Sequence, residues 1–102
     1  MDPQQLETLN TFLSQVDQEN LFQYLGLSTD ATEEETRAAI KKRRSWAQGQ
    51  QSNPKYRTEA IWYIKNISLL KRVLLEERAA YIHHLRLEKH RSSLRTLRRN
   101  LS

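Results

Sequence analysis

The chain has 102 residues, of which 37% are hydrophobic, and a formal net charge of +5. This length suits one domain with a modest core, and the absence of cysteine excludes disulfides and thiolate metal sites. No apolar run approaches the ~18 residues of a membrane span, and two glycines are too few for a glycine-rich phosphate loop. A secretory signal is not predicted either, because the first twenty residues hold no Lys or Arg and no apolar segment. We therefore expect a cytoplasmic protein.

Charge is distributed unevenly along the chain. Residues 1–30 contain five acids and no Lys or Arg, whereas residues 78–102 contain seven bases and one acid. The first segment therefore carries a charge of −5 and the last a charge of +6. Such polarity favours partners that recognise one end of the molecule, although it is also typical of solvated helix faces.

The first predicted element is an amphipathic helix within residues 1–18. Asp2 is a suitable N-cap, and Pro3 would occupy the first helical position. The helix is expected to end near Asp17 and Gln18. Its apolar residues recur at spacings of three and four: Leu6, Leu9, Leu13 and Val16.

Two further helices are predicted before residue 50. A short one runs from Glu19 to Leu25, with Gly26 as its left-handed stop. The next runs from residue 33 to about residue 47, because Thr32 and Glu35 have the spacing of a capping box. We expect the helical pattern to break over residues 48–53.

A long apolar helix is predicted from about Pro54 to Leu75 and forms the expected core. Trp62, Tyr63 and Val73 would flank its buried stripe. The predicted stripe is Ala60, Ile64, Ile67, Leu70 and Leu74.

Residues 85–102 are predicted to form a basic amphipathic helical arm. Leucines repeat along it with a heptad trace, which is typical of a coiled coil. The residues proposed for self-association are Leu87, Leu94, Leu97 and Leu101.

The helices resemble, in order, those of the J domain of DnaJ-type co-chaperones over residues 19–84. The motifs that carry the resemblance are Tyr24-Leu25-Gly26-Leu27, Ala31-Thr32-Glu33-Glu34-Glu35, Arg37-Ala38-Ala39-Ile40-Lys41-Lys42, Val73-Leu74 and Arg78-Ala79-Ala80-Tyr81. The resemblance implies an all-α fold with an antiparallel helical hairpin, here with an extra N-terminal helix and a basic C-terminal helix. Trp46 and Asn53-Pro54 are similar to a J-like subgroup found in larger bacterial proteins.

One departure from the family pattern bears on function. A working J domain stimulates ATP hydrolysis by a DnaK-class chaperone through a His-Pro-Asp tripeptide. This chain has Gln48-Gly49-Gln50 at that position, without a carboxylate or a proline turn. The resemblance therefore implies a chaperone-like fold that has lost the stimulating activity.

The predicted function is a non-catalytic adaptor, scaffolding or regulatory module that binds a protein with an acidic surface. No residue pattern indicates catalysis or a cofactor, and His83 and His90, two turns apart, are interpreted as surface residues rather than metal ligands. Two alternatives stay open: a nucleic-acid-binding accessory protein, and an active J co-chaperone. The proposed partner-binding residues are Lys41, Lys42, Arg43, Arg44, Arg91, Arg95, Arg98 and Arg99.

Overall fold

The computed structural model describes the backbone of residues 2–101 and the side chains of residues 2–89. Over this range the protein is all-helical and has no strand. Six α-helices and one π-helical turn follow one another: α1 (Pro3–Gln15), α2 (Leu21–Leu25), α3 (Glu33–Gln50), α4 (Arg57–Lys65), α5 (Ile67–Lys71), the π turn (Arg72–Glu76) and α6 (Arg78–Leu101).

Both ends of α1 are determined by local hydrogen bonds. The side chain of Asp2 accepts from the backbone N–H of Gln4 at 2.9 Å, and Pro3 occupies the first turn, as predicted. The helix ends at Gln15, slightly before the predicted end. Asp17 then adopts a left-handed φ of 56°, and the N–H of Gln18 donates to the carbonyl of Leu13 at 3.0 Å. This closure is a Schellman motif with Asp in the position that glycine usually takes.

The ends of α2 and the start of α3 also follow the sequence prediction. Asn20 caps α2, and Gly26 ends it with a φ of 72°. At the start of α3, Thr32 Oγ1 accepts from the N–H of Glu35 at 3.0 Å. Glu35 Oε1 in turn accepts from the N–H of Thr32 at 3.1 Å, and this bond lowers the pKa of the Glu35 carboxyl.

The end of α3 differs from the prediction. The helix continues to Gln50, so residues 48–50 form its last turn rather than a break. Gly49 has no positive φ, and no proline lies between the start of α3 and Pro54. Because glycine alone disfavours a helix by only about 1 kcal/mol, it does not stop one that is already packed.

The predicted long helix from Pro54 to Leu75 is interrupted. It begins at Arg57, breaks at Asn66 (φ −110°, ψ 16°) and finishes in the π turn. The buried face also differs from the prediction: Tyr63, predicted to flank the core, is fully buried. Ile64 and Ile67, predicted within the buried stripe, are only partly buried.

Contacts between α3 and the later helices show that the two segments run antiparallel. Trp46 packs edge-on against Tyr56 with ring centroids 5.5 Å apart. One and a half turns earlier in α3, the carbonyl of Ile40 accepts from Tyr63 Oη at 2.7 Å. Earlier still, Thr36 lies within 3.5 Å of the Arg78 guanidinium. The core fills the space between these helices, α1 and α2.

The helix α6 starts at Arg78, with only Glu77 between it and the π turn. Tyr81 anchors its first turns because its hydroxyl accepts from the N–H of Leu21 at 3.0 Å. Its ring also stacks on Phe22 at 5.9 Å. The predicted boundary between residues 84 and 85 falls inside this helix, without a break in the backbone.

Candidate interaction surface

The basic run of α3 is divided by the geometry of the helix. Successive residues of an α-helix point about 100° apart, so four consecutive cations cannot share one face. Lys41, Lys42 and Arg44 are exposed, whereas Arg43 is half-buried. Only three of the four predicted α3 residues therefore present their charge fully to solvent.

Arg43 is held by aromatic rings. Its guanidinium lies 4.4 Å from the centroid of the Tyr24 ring and 4.6 Å from that of Trp46. Arg43 Nη2 also donates to the carbonyl of Tyr24 at 3.3 Å. A cation between two π faces is attracted by both ring quadrupoles, so this side chain links α2 to α3.

Arg43→Ala is expected to lower the free energy of unfolding by about 1–2 kcal/mol, because it removes both cation–π contacts and the buried stem. Arg44→Ala, one residue away and exposed, is the matched control and should change stability by less than about 0.5 kcal/mol. Urea denaturation followed by circular dichroism measures both. Equal costs for the two variants would show that the Arg43 contacts do not stabilise the fold.

Buried tyrosines beneath the basic run act as neutral hydrogen-bond donors. Burial raises the pKa of Tyr63 to about 12, and its hydroxyl donates to the carbonyl of Ile40. Burial also raises the pKa of Tyr24, whose hydroxyl donates to Glu59 Oε2 at 2.9 Å. Both hydroxyls bond within the core and are protonated at neutral pH, which suits them to packing rather than to proton transfer.

A groove with basic sides lies between α3 and the α5–π turn segment, and we call it the α3–α5 groove. Its volume is about 250 Å³. Cations from both segments line it together with aliphatic side chains. The lining residues are Arg37, Ile40, Lys41, Arg44, Ile67, Lys71 and Leu75.

Sequence reasoning identified only Lys41 and Arg44 among the cations of this groove. Arg37 belongs with them because residues 37, 41 and 44 have the spacing of one helix face. The sequence alone was therefore sufficient to assign Arg37 to the same face as Lys41 and Arg44. The opposing Lys71 could not be assigned, because its position across from α3 depends on the helix break at Asn66 and on the antiparallel pairing.

The proposed arm residues lie outside the described side chains. These are Arg91, Arg95, Arg98 and Arg99, together with Leu94, Leu97 and Leu101 of the proposed self-association stripe. Leu87, the first leucine of that stripe, is 46% exposed. Within residues 2–89, no group of three His, Cys, Asp or Glu side chains could hold a metal ion.

The segment predicted to replace the His-Pro-Asp tripeptide lies at the carboxyl end of α3. Gln48 and Gly49 are exposed there. The side chain of Gln50 accepts from Asn53 Nδ2 at 2.9 Å and helps to start the turn that follows. This end of the helix therefore presents amides and no carboxylate.

Comparisons with known proteins give no relative from which a function could be transferred. No protein-family model matches the chain, and no curated protein and no solved structure matches it significantly. None of the helices in the described part of the chain is both long and apolar enough to cross a membrane.

Proposed function

We propose that this chain is a non-catalytic protein-interaction module with a J-like helical hairpin that does not stimulate a DnaK-class ATPase. The observation that carries the proposal is the side-chain chemistry along α3 (Glu33–Gln50). Exposed cations on α3 can attract an acidic protein, while Gln48, Gly49 and Gln50 beyond them supply no carboxylate.

The J-like part of the proposal is supported by the order and contacts of the helices. A capping box opens α3, which pairs antiparallel with the following helical segment. Arg78 and Tyr81 then close the hairpin, because Arg78 Nη2 donates to the carbonyl of Thr29 at 2.5 Å and Tyr81 contacts Leu21. Arg78 and Tyr81, like Thr32 and Glu35 of the capping box, belong to the motifs that carry the resemblance to J domains.

The interaction part is supported by the charges of α3. Among the described residues, no ion pair involves Lys41 or Arg44, so these two cations are available to a partner. An acidic partner would gain association rate from them by electrostatic steering. Self-association through the leucines of α6 and a cytoplasmic location stay predictions.

A steady-state ATPase assay tests the loss of stimulation. The full chain is added to a DnaK-class chaperone, with a J domain that contains His-Pro-Asp as the positive control. We expect hydrolysis at the basal rate of the chaperone, because the interacting carboxylate is missing from residues 48–50. Acceleration by this chain, abolished when Gln48, Gly49 and Gln50 are all changed to Ala, would establish an active co-chaperone instead.

Nucleic-acid binding is the second candidate, favoured by the charge of +6 over residues 78–102. Arg86 and Lys89 are exposed on α6 and would contribute to a phosphate-binding surface. No exposed Phe, Tyr or Trp accompanies them on the described part of α6, so a large ring for base stacking is not provided there. The protein-interaction proposal is favoured for this reason.

A further inference from the structure

We propose that the α3–α5 groove binds an acidic amphipathic helix of a partner protein, with aliphatic side chains inserted between its two basic walls. This inference rests on the proposed function and specifies the chemistry of the partner. It differs from a general basic surface because it requires one face of α3, and not the whole run of cations from Lys41 to Arg44.

The charges of the groove favour an acidic partner. Four cations line the groove and no carboxylate does: Arg37, Lys41 and Arg44 on one wall and Lys71 on the other. The only described ion pair among them joins Arg37 to Glu33 at 2.8 Å, and both side chains are largely exposed. A partner that carries Asp or Glu on both flanks would therefore meet cations on both walls.

Aliphatic side chains of the groove also favour a protein partner. Ile67 and Leu75 are partly exposed above the buried Ile40, so apolar surface lies between the charges. Nucleic-acid phosphates would gain from the cations but not from this aliphatic surface, and no aromatic ring lines the groove for base stacking. An acidic helix with leucine-like side chains would gain from both the cations and the aliphatic surface.

The spacing of the lining residues favours a helical partner. Arg37, Lys41 and Arg44 follow one face of α3 over two turns, about 10 Å. Ile67, Lys71 and Leu75 follow the opposing segment over a similar length. Both walls carry residues at helical spacing. They therefore suit a helix that lies along the groove and presents residues i, i+3, i+4 and i+7.

The binding test uses a synthetic peptide and the full chain. The probe is a fluorescein-labelled, capped peptide of about four helical turns, with leucines along one face and glutamates on both sides. Fluorescence anisotropy at low and physiological salt gives its affinity. Two comparison probes are the same peptide with serine in place of leucine, and a fluorescein-labelled oligouridine of similar charge.

The protein variants separate the groove from the basic run as a whole. Lys41→Glu combined with Lys71→Glu reverses one exposed charge on each wall. Lys42→Glu combined with Lys65→Glu is the matched control, because both residues are exposed cations on the paired helical segments and neither lines the groove. Circular dichroism checks that both variants retain the helix content of the wild type.

We expect the groove variant to bind the leucine peptide at least about tenfold more weakly than the wild type, and the control variant within about threefold of it. The serine peptide should bind about tenfold more weakly than the leucine peptide. Equal losses in both variants would overturn the groove and leave a general basic surface, which still agrees with the proposed function. Tighter binding of oligouridine, equal binding of the serine peptide or no peptide binding would also overturn the groove, whereas the ATPase assay decides the loss of stimulation separately.

Discussion

Tyr63→Ala is expected to lower the free energy of unfolding by about 3–5 kcal/mol, the cost of removing a large buried aromatic side chain. Tyr63 is 0% exposed and contacts the core on the side of Tyr24, whose ring centroid lies 6.2 Å away. Its hydroxyl also makes the 2.7 Å bond to Ile40 that joins α4 to α3. A domain of this size has a total stability of about 5–15 kcal/mol, so the variant would lose a large part of it.

Ile64, the next residue in the chain, provides the matched control for Tyr63→Ala. Ile64 was assigned to the buried stripe by periodicity, yet it is only partly buried. Ile64→Ala should therefore cost less than about 2 kcal/mol, because part of the removed surface is already in water. Urea denaturation of both variants measures the difference. A larger loss for Ile64→Ala would contradict the register of α4 and restore the face expected from sequence.

Gly49→Pro is expected to lower the free energy of unfolding by about 3 kcal/mol and to unwind the last turn of α3. Proline at residue 49 lacks the N–H that an α-helix uses there, and its ring would clash with the carbonyl one turn earlier. Gly49→Ala is the matched control. Its added Cβ would have no heavy atom within 4 Å, and Gly49 has no positive φ, so this variant should gain about 0.5–1 kcal/mol.

Thermal unfolding and helix content by circular dichroism measure the Gly49 pair. A Gly49→Pro variant as stable as the wild type would mean that α3 ends before this residue. The expected loss bears on function, since a His-Pro-Asp sequence introduced at residues 48–50 would place its proline in this last turn.

The charges that sequence analysis treated as one cluster have separate roles. Arg43 stabilises the contact between α2 and α3, while Lys41 and Arg44 face the α3–α5 groove with Arg37. Lys42 is exposed and lies outside both sets. Substituting the whole run together would mix a loss of stability with a loss of binding, so the residues are best tested singly or in the pairs described above.

Local sequence patterns are sufficient to predict the helix boundaries that depend on local hydrogen bonds. Asp2 caps α1, Thr32 and Glu35 form the capping box of α3, and Gly26 ends α2. Each of these features needs only residues within one helical turn, so composition and spacing predict it. The all-helical class followed from the same patterns.

Contacts between distant segments set the buried face of the later helices and the composition of the α3–α5 groove. Tyr63 is buried where its hydroxyl reaches the carbonyl of Ile40 in α3, and Lys71 reaches the groove because the segment after the break at Asn66 packs against α3. Arg43 turns inward because the rings of Tyr24 and Trp46, nineteen residues and three residues away, meet around it. These outcomes depend on packing between distant segments, and a one-dimensional period of 3.6 residues contains no information about that packing.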